Sequence, residues 1–93
     1  MGKYTIRVEK TAAQDLKKLY KSGQKSDIAK VERIFKELSE TPQSGIGEPK
    51  KLTGDLLGFW SRRINKKDRI VYEIIESEIV VVVISTLGHY SDK

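Results

Sequence analysis

The stretch FWSRRINKKDRIVYEIIESEIVVVVIS, residues 59–85, decides the fold of this chain. It contains three runs rich in β-branched and aromatic residues, which are typical of strands: residues 59–64, 69–75 and 79–85. The polar segments between them, 65–68 and 76–78, have the length of hairpin turns. The stretch therefore predicts three strands that follow one another as antiparallel hairpins.

The residues before this stretch have two other periodicities. Residues 4–9 alternate between apolar and polar side chains, as in a half-buried strand. Apolar residues then recur at the helical period, from Ala12 to Tyr20 and again from Ile28 to Leu38. Because only a short link separates the two segments, we expect an antiparallel helical hairpin.

Capping and breaking residues predict where these helices begin and end. Thr11 opens a capping-box pattern, and Ser26 is expected to cap the second helix. Gly23 should end the first helix. The pair Thr41–Pro42 should end the second, because proline disfavours helical backbone in the residue before it. Residues 43–49, with two glycines and a proline, are expected to form a loop.

The order strand, helix, helix and then strands predicts an α+β fold. An N-terminal strand and an antiparallel helical hairpin would pack with a mainly antiparallel sheet, both helices covering one face. The 93 residues fit a single domain, 1–93, with one thin core. Any chemistry must then lie in a shallow site on the surface of that domain.

The net charge of +5 is concentrated in one part of the chain. Residues 50–69 hold seven of the 18 basic residues and two of the 13 acidic ones, which leaves eleven of each elsewhere. A clustered basic surplus suits a polyanionic partner such as nucleic acid. An ordinary solvated lysine-rich surface is the alternative.

The composition also excludes several classes of site. The chain has no cysteine and one histidine, so disulfides, thiolate metal sites and clusters of histidines around zinc are excluded. We expect no metal and no organic cofactor. Residues 1–10 lack the apolar core of a signal peptide, and the longest apolar run, 79–84, is too short to span a bilayer. A cytoplasmic location is therefore expected.

Strand alternation separates the arginines of the basic stretch. Arg69 should point to the open face of the sheet, because Ile70 and Tyr72 alternate with the residues on its side and belong toward the helices. Arg62 and Arg63 are adjacent and must point to opposite faces. At most one of them joins Arg69, and the other extends around an edge or pairs with an acid. Arg69 itself could instead be the cross-strand partner of a carboxylate.

Several motifs occur in a fixed order along the chain. They are the Gly-x-Gly-x-Pro loop at 45–49, Gly-Phe-Trp-Ser-Arg-Arg-Ile at 58–64, Arg-Ile-Val-Tyr at 69–72 and Gly-His-Tyr at 88–90. Together with the helical hairpin they resemble the YoeB/Txe branch of the RelE toxins. The resemblance covers essentially the whole chain.

That resemblance implies a fold related to small microbial ribonucleases and metal-independent cleavage of mRNA in the ribosomal A site. It also implies a YefM-type antitoxin as partner, and a homodimer. By the same resemblance, Arg69 would steady the phosphate and His89 would be the general acid beside Tyr90. We expect Lys51, Arg62 and Arg63, together with Lys50, to bind RNA phosphates.

One position departs from the family. The residue after Pro49 is Lys50, where the family has the glutamate that acts as general base. Glu48 could supply the carboxylate from a flexible loop, or Lys50 or Lys51 could take part, as lysines do in the RelE branch. We favour Lys50, because it occupies the family's base position after Pro49, whereas Glu48 precedes a proline that should direct it elsewhere. A third alternative is weak catalysis, with toxicity resting on ribosome binding.

These residue types suit RNA cleavage without a metal. One group must remove the proton of the 2′-hydroxyl and another must protonate the departing 5′ oxygen, which histidine does well near neutral pH. Arginine offers a permanently charged fork for phosphate oxygens. The rival functions are a non-enzymatic module that blocks the ribosome, and a ParE-type gyrase inhibitor, against which the pair His89–Tyr90 argues. Trp60 and Tyr72 are interpreted as core packing rather than as platforms for bases.

Overall fold

The computed structural model describes residues 3–54, 57–66 and 68–88, with the side chains of 85–88 left aside. It contains five strands and two helices within these ranges. In chain order they are β1 Thr5–Val8, α1 Lys10–Ser22, α2 Lys25–Glu40, β2 Lys50–Lys51, β3 Phe59–Arg63, β4 Arg69–Ile75 and β5 Val80–Gly88. The α+β class and the helical hairpin predicted from the sequence are confirmed.

The strands form one mainly antiparallel sheet in the order β1-β5-β4-β3-β2. The hairpin partners β3/β4 and β4/β5 are antiparallel, as predicted, and β2 pairs antiparallel with β3. The N-terminal strand β1 is different, because it lies parallel to β5. The last strand described, β5, therefore lies inside the sheet, between β1 and β4. Its run of four valines suits a position that is buried on both faces, and all four are buried.

The helices cover one face of the sheet through their apolar stripes. Core side chains from α1 and α2 pack against those that point inward from β4 and β5. The main contributors are Leu19 from α1, Ile34 and Leu38 from α2, and Ile70, Tyr72, Val81 and Val83 from the sheet. This leaves the opposite face of β2, β3 and β4 for the surface site described below.

Both predicted helix starts are wrong by a short distance. Helix α1 begins at Lys10 after Glu9, and no side chain caps it. The backbone N–H of Glu9 donates to the carbonyl of Val83, so strand pairing runs directly into the first helical turn and leaves Thr11 inside the helix. Helix α2 begins at Lys25, with Gln24 before it, rather than at a Ser26 cap.

The predicted stops agree with the structure. Gly23 follows α1 with a left-handed backbone (φ 73°), and α2 ends at Glu40, before the Thr41–Pro42 pair. The final strand begins one residue later than predicted, because Ile79 lies in the turn at φ 55°, and it extends to Gly88. Within the described ranges, none of the helices has both the length and the apolar character needed to span a bilayer.

Candidate active site

A small pocket lies on the sheet face that the helices leave open. Its volume is about 90 Å³. Five residues line it: Glu48, Lys50, Ser61, Arg63 and Arg69. All of them except Ser61 are site residues predicted from the sequence. The pocket thus combines three cations with one carboxylate. Among the described residues, no three His, Cys, Asp or Glu side chains are grouped so that they could hold a metal ion.

Strand register explains why the cations meet. Residues directly opposite each other in neighbouring strands point to the same face of a sheet. Lys50 is paired with Ser61 across β2 and β3, and Arg63 is paired with Arg69 across β3 and β4. Because Ser61 and Arg63 are two residues apart on β3, all four side chains share one face.

The pairing of Arg63 with Arg69 is informative about function. Like charges directly opposite each other on a sheet are destabilising, so stability alone gives no reason for this pair. The alternative in which Arg69 faces a cross-strand carboxylate does not apply, because its register partner on β3 is a second arginine. Two adjacent guanidinium groups on an accessible face suit a ligand with several negative oxygens.

Glu48 reaches the pocket through an unusual backbone. Its φ is 53°, in the left-handed region, and Gly47 before it has φ 82°. The carbonyl of Gly47 accepts a hydrogen bond from the N–H of Arg63 at 2.7 Å, which fastens this part of the loop to β3. The expectation that Pro49 would direct Glu48 elsewhere is wrong, because Glu48 lines the same pocket as Lys50.

Gly47 also lies too close to β3 for any larger residue. A Cβ added to it would come within 2.9 Å of the carbonyl oxygen of Arg63. Backbone cannot retreat from such a contact as a flexible side chain can. The Gly-x-Gly-x-Pro motif therefore has a physical role, which is to lay the loop flat against the strand that carries Arg63.

Arg62 does not bind RNA phosphate, and its predicted role is corrected. The side chain is 0% exposed. All five of its N–H groups already donate, to acceptors in the core and in the loop: Nε to Tyr72 Oη (3.2 Å), Nη1 to Glu37 Oε1 (2.6 Å) and to the Ile46 carbonyl (3.3 Å), Nη2 to the carbonyls of Thr41 (2.9 Å) and Ser44 (2.7 Å). No donor remains for a ligand. Of the two adjacent arginines, Arg62 is thus the one that pairs with an acid, Glu37.

Glu37 and Tyr72 complete the network around Arg62. Glu37 Oε1 also accepts a hydrogen bond from the N–H of Ile46, at 2.9 Å. Burial raises the pKa of Glu37, but the Ile46 hydrogen bond and the Arg62 and Arg33 guanidinium groups outweigh it, so the pKa lies below its ordinary 4.5. Burial raises the pKa of Tyr72, while Arg62 partly opposes this. Its hydroxyl therefore stays protonated and donates to the carbonyl of Pro42 at 2.7 Å.

The lowered pKa of Glu37 predicts how stability depends on pH. A carboxylate whose pKa is lower in the folded chain stabilises it above about pH 4.5, and this contribution disappears as the pH falls through the folded value. Urea unfolding should therefore give different free energies for wild type and Glu37→Gln at pH 7, and the difference should shrink as the pH falls below 4.5. The control is Glu78→Gln, which removes an exposed carboxylate 4.0 Å from Arg7 and should change stability little, because exposed ion pairs contribute little. If the difference in unfolding free energy between wild type and Glu37→Gln does not shrink as the pH falls, the prediction is contradicted.

Lys51 lies on the opposite side of β2 from Lys50. It is paired with Trp60, and its Nζ lies 5.8 Å from the centroid of the indole ring. The structure therefore does not bring Lys51 into the pocket. Trp60 is half-buried against the core and Tyr72 is fully buried, so both lie where the sequence interpretation placed them.

His89 and Tyr90 lie outside the described residues. The description of β5 ends at Gly88, which is the register partner of Arg69. Ser61 is the pocket residue that sequence reasoning missed. Its alternation with Arg63 was the available signal, but a buried serine on a strand also fits ordinary packing.

The comparisons with known proteins agree with this architecture. The family model for the YoeB-like toxin of bacterial type II toxin-antitoxin systems matches residues 8–90. Toxin YoeB of Synechocystis is 34% identical over 71 residues, which cover 76% of this chain and 80% of that protein. Toxin YoeB of Streptomyces coelicolor is 38% identical over 53 residues, covering 57% of this chain, and the match spans only 63% of that protein.

Solved structures extend the likeness to the whole fold. A YoeB/ParE toxin from Agrobacterium tumefaciens superposes with a TM-score of 0.81 at 28% identity, over 92% of this chain and 99% of that one. A YoeB dimer from Staphylococcus aureus gives 0.78 at 29% identity, over 95% and 99%. The heterotetrameric YoeB-YefM toxin-antitoxin complex from the same organism gives 0.76 at 30% identity, over 94% and 98%. The chain therefore belongs to the YoeB-like toxins of bacterial type II toxin-antitoxin systems.

Proposed function

We propose that this toxin is a metal-independent endoribonuclease that cleaves mRNA in the ribosomal A site. The observation that carries the proposal is the pocket in which Lys50, Arg63 and Arg69 surround one carboxylate, that of Glu48. At about 90 Å³ it is far smaller than the ~300–1,000 Å³ of a typical small-molecule site. It suits one phosphodiester of a longer chain that continues over the basic surface.

The proposed reaction is attack by the ribose 2′-hydroxyl on the adjacent phosphorus. The 2′-oxygen forms a bond to phosphorus as the bond from phosphorus to the 5′ oxygen breaks. The products are a 2′,3′-cyclic phosphate and a free 5′-hydroxyl. A base takes the proton of the 2′-hydroxyl, and His89, the histidine of the resemblance, gives a proton to the departing oxygen. Lys50, Arg63 and Arg69 stabilise the extra negative charge of the phosphorane.

We assign the base to Glu48 and give Lys50 a phosphate-binding role. A carboxylate is ionised at neutral pH without help, whereas an ammonium group must first lose a proton with an ordinary pKa near 10.4. The position of Glu48 in the pocket removes one of the two arguments that had favoured Lys50, namely that the proline directs Glu48 elsewhere. Its left-handed backbone also costs free energy, which is common where the position of a side chain matters to function.

Single-turnover cleavage of ribosome-bound mRNA distinguishes the two assignments. Glu48→Gln should slow cleavage about 10²–10⁴-fold, the usual contribution of a general base, and Lys50→Met should be milder. Lys51→Met is the matched control, because the adjacent lysine lies on the other face of the sheet and should change the rate little. In wild type, activity should rise near pH 4–5 and fall above about pH 7.

Other outcomes support other functions. If Lys50→Met is the more damaging change and the rising limb lies above pH 7, the base is Lys50. If sequencing of RNA ends from intoxicated ribosomes finds no cuts inside codons, while translation still stops, the chain is a ribosome blocker. Small and equal effects of both substitutions would point the same way.

The partners of the relatives suggest those of this chain. We propose that a YefM-type antitoxin inhibits the toxin by covering the basic surface around Arg63 and Arg69 with an acidic segment. We also propose that the toxin forms a homodimer, as the Staphylococcus aureus YoeB dimer does. Ribosomal RNA would offer the same surface a continuous row of phosphates.

A further inference from the structure

The segment from Thr41 to Ile46 has no regular structure, and one buried side chain holds it. Three of the five hydrogen bonds of Arg62 go to carbonyls of this segment, those of Thr41, Ser44 and Ile46. Tyr72 adds a fourth tie by donating to the carbonyl of Pro42. The backbone groups that a helix or ladder would satisfy are thus satisfied by a side chain from β3.

Glu37 fixes the same segment from the helical side. Its Oε1 atom accepts from Arg62 Nη1 and from the N–H of Ile46. Gly45 packs directly against this ion pair, where an added Cβ would overlap the Glu37 carboxylate and lie 2.8 Å from Arg62 Nη1. The loop, α2 and β3 are therefore joined at one buried point.

This point is close to the pocket along the chain. Only Gly47 separates Ile46 from Glu48, and its carbonyl accepts a hydrogen bond from the N–H of Arg63. Lys50 follows and pairs with Ser61. A change in how Arg62 holds Ile46 is thus passed to Glu48 over two residues, while Arg63 and Arg69 remain fixed by the strands.

Stability alone does not explain a buried ion pair at this place. Well-packed apolar residues often stabilise as much or more, because two charges must leave water. A lysine would also carry the charge, but it has three donors where the guanidinium uses five. The guanidinium group therefore suits this place through its geometry, because it holds several carbonyls in fixed directions.

We propose that Arg62 and Glu37 are positioning residues that set the place of Glu48 in the pocket by fixing residues 41–47. The effect on rate rests on the proposed nuclease function, whereas the effect on the loop does not. Because the strand-borne cations are unaffected, loosening the loop should lower kcat and leave KM nearly unchanged.

Backbone amide exchange and single-turnover kinetics test the proposal together. In Arg62→Lys, exchange at the amides of Ile46 and Arg63 should become at least about tenfold faster, with core strand amides such as Val81 unchanged. The kcat should fall about 10–10²-fold, since a small misplacement of a catalytic group costs this much, with KM within about twofold. Arg33→Gln is the control, because it removes the 67% exposed partner of the same carboxylate and should alter neither readout.

The results separate failure of the inference from failure of the proposed function. If wild type cleaves no RNA, the nuclease proposal fails, and the exchange rates still show whether Arg62 holds the loop. Unchanged exchange at Ile46 in Arg62→Lys overturns the inference, as does faster exchange with an unchanged kcat in an active enzyme. If Arg62→Lys does not fold, Tyr72→Phe removes one acceptor of Arg62 and one tie to Pro42. Tyr72→Phe should change amide exchange and kcat in the same direction as Arg62→Lys, but by a smaller factor. If it changes neither, the inference is overturned.

Discussion

Replacing Arg69 by glutamine is expected to slow RNA cleavage about 10²–10³-fold, the usual effect of removing one preorganised donor to a transition-state anion. Arg69 lies on β4 beside the other cations of the pocket, and strand pairing on both sides fixes its backbone. A guanidinium placed in this way can meet two phosphate oxygens at once. Arg69→Lys should recover only part of the rate, because an ammonium group cannot form the fork.

The same substitution should leave stability unchanged or slightly higher. Arg63 lies directly opposite Arg69, and neutralising one of the two removes a like-charge repulsion. Urea unfolding of Arg69→Gln would show a midpoint at or above that of wild type. The control is Arg7→Gln, on β1 at the other edge of the sheet, which should not affect cleavage. A rate loss below about fivefold, or a loss explained by unfolding, would remove Arg69 from the proposed mechanism.

Replacing His89 by glutamine should lower the cleavage rate about 10²–10⁴-fold, the range for a general acid. His89 lies beyond the described residues, and its assignment rests on the resemblance and on the chain having one histidine. It follows Gly88, the register partner of Arg69, by a single peptide bond. The residue before the expected proton donor thus lies opposite Arg69, the arginine that we propose to bind the phosphate.

The pH profile gives His89 an independent test. Wild type should lose activity as the pH rises through about 6.5–7, because a general acid must be protonated. The residual activity of His89→Gln should lack this falling limb. Antitoxin binding by the variant should equal that of wild type, which shows that the fold is intact. A variant that keeps more than a tenth of the normal rate would mean that another group protonates the 5′ oxygen.

Most of the fold could be predicted because it follows from local patterns. The apolar periods gave the two helices, the β-branched runs gave β3, β4 and β5, and Gly23 and Thr41–Pro42 marked the helix ends. The start of α1 could not be predicted in this way. It depends on a hydrogen bond from Glu9 to Val83, a residue that is distant in sequence, and that bond overrides the local capping pattern of Thr11.

The direction of a site side chain could be predicted where it depends on strand alternation. It could not be predicted where it depends on a partner distant in sequence. Alternation correctly separated Arg62 from Arg63, but it could not say which of them faces an acid. The answer depends on Glu37, which lies 25 residues earlier on α2. Glu48 was misjudged because the rule for residues before proline favours extended backbone, whereas its φ is 53°. Glu48 directly follows Gly47, whose carbonyl accepts a hydrogen bond from Arg63 on β3.

The parallel pairing of β1 with β5 determines when the sheet can be completed during synthesis. Strand β5 lies between β1 and β4 and is the last of the five described strands to leave the ribosome, so until then β1 has no neighbour in the sheet and β4 has only β3. Before then, β3 and β4 form a hairpin extended among the described strands only by the two-residue β2, and such small units are marginally stable in water. A nascent chain interrupted before Val80 lacks β5, which pairs with the strand that carries Arg69, and we therefore expect such a fragment to be inactive.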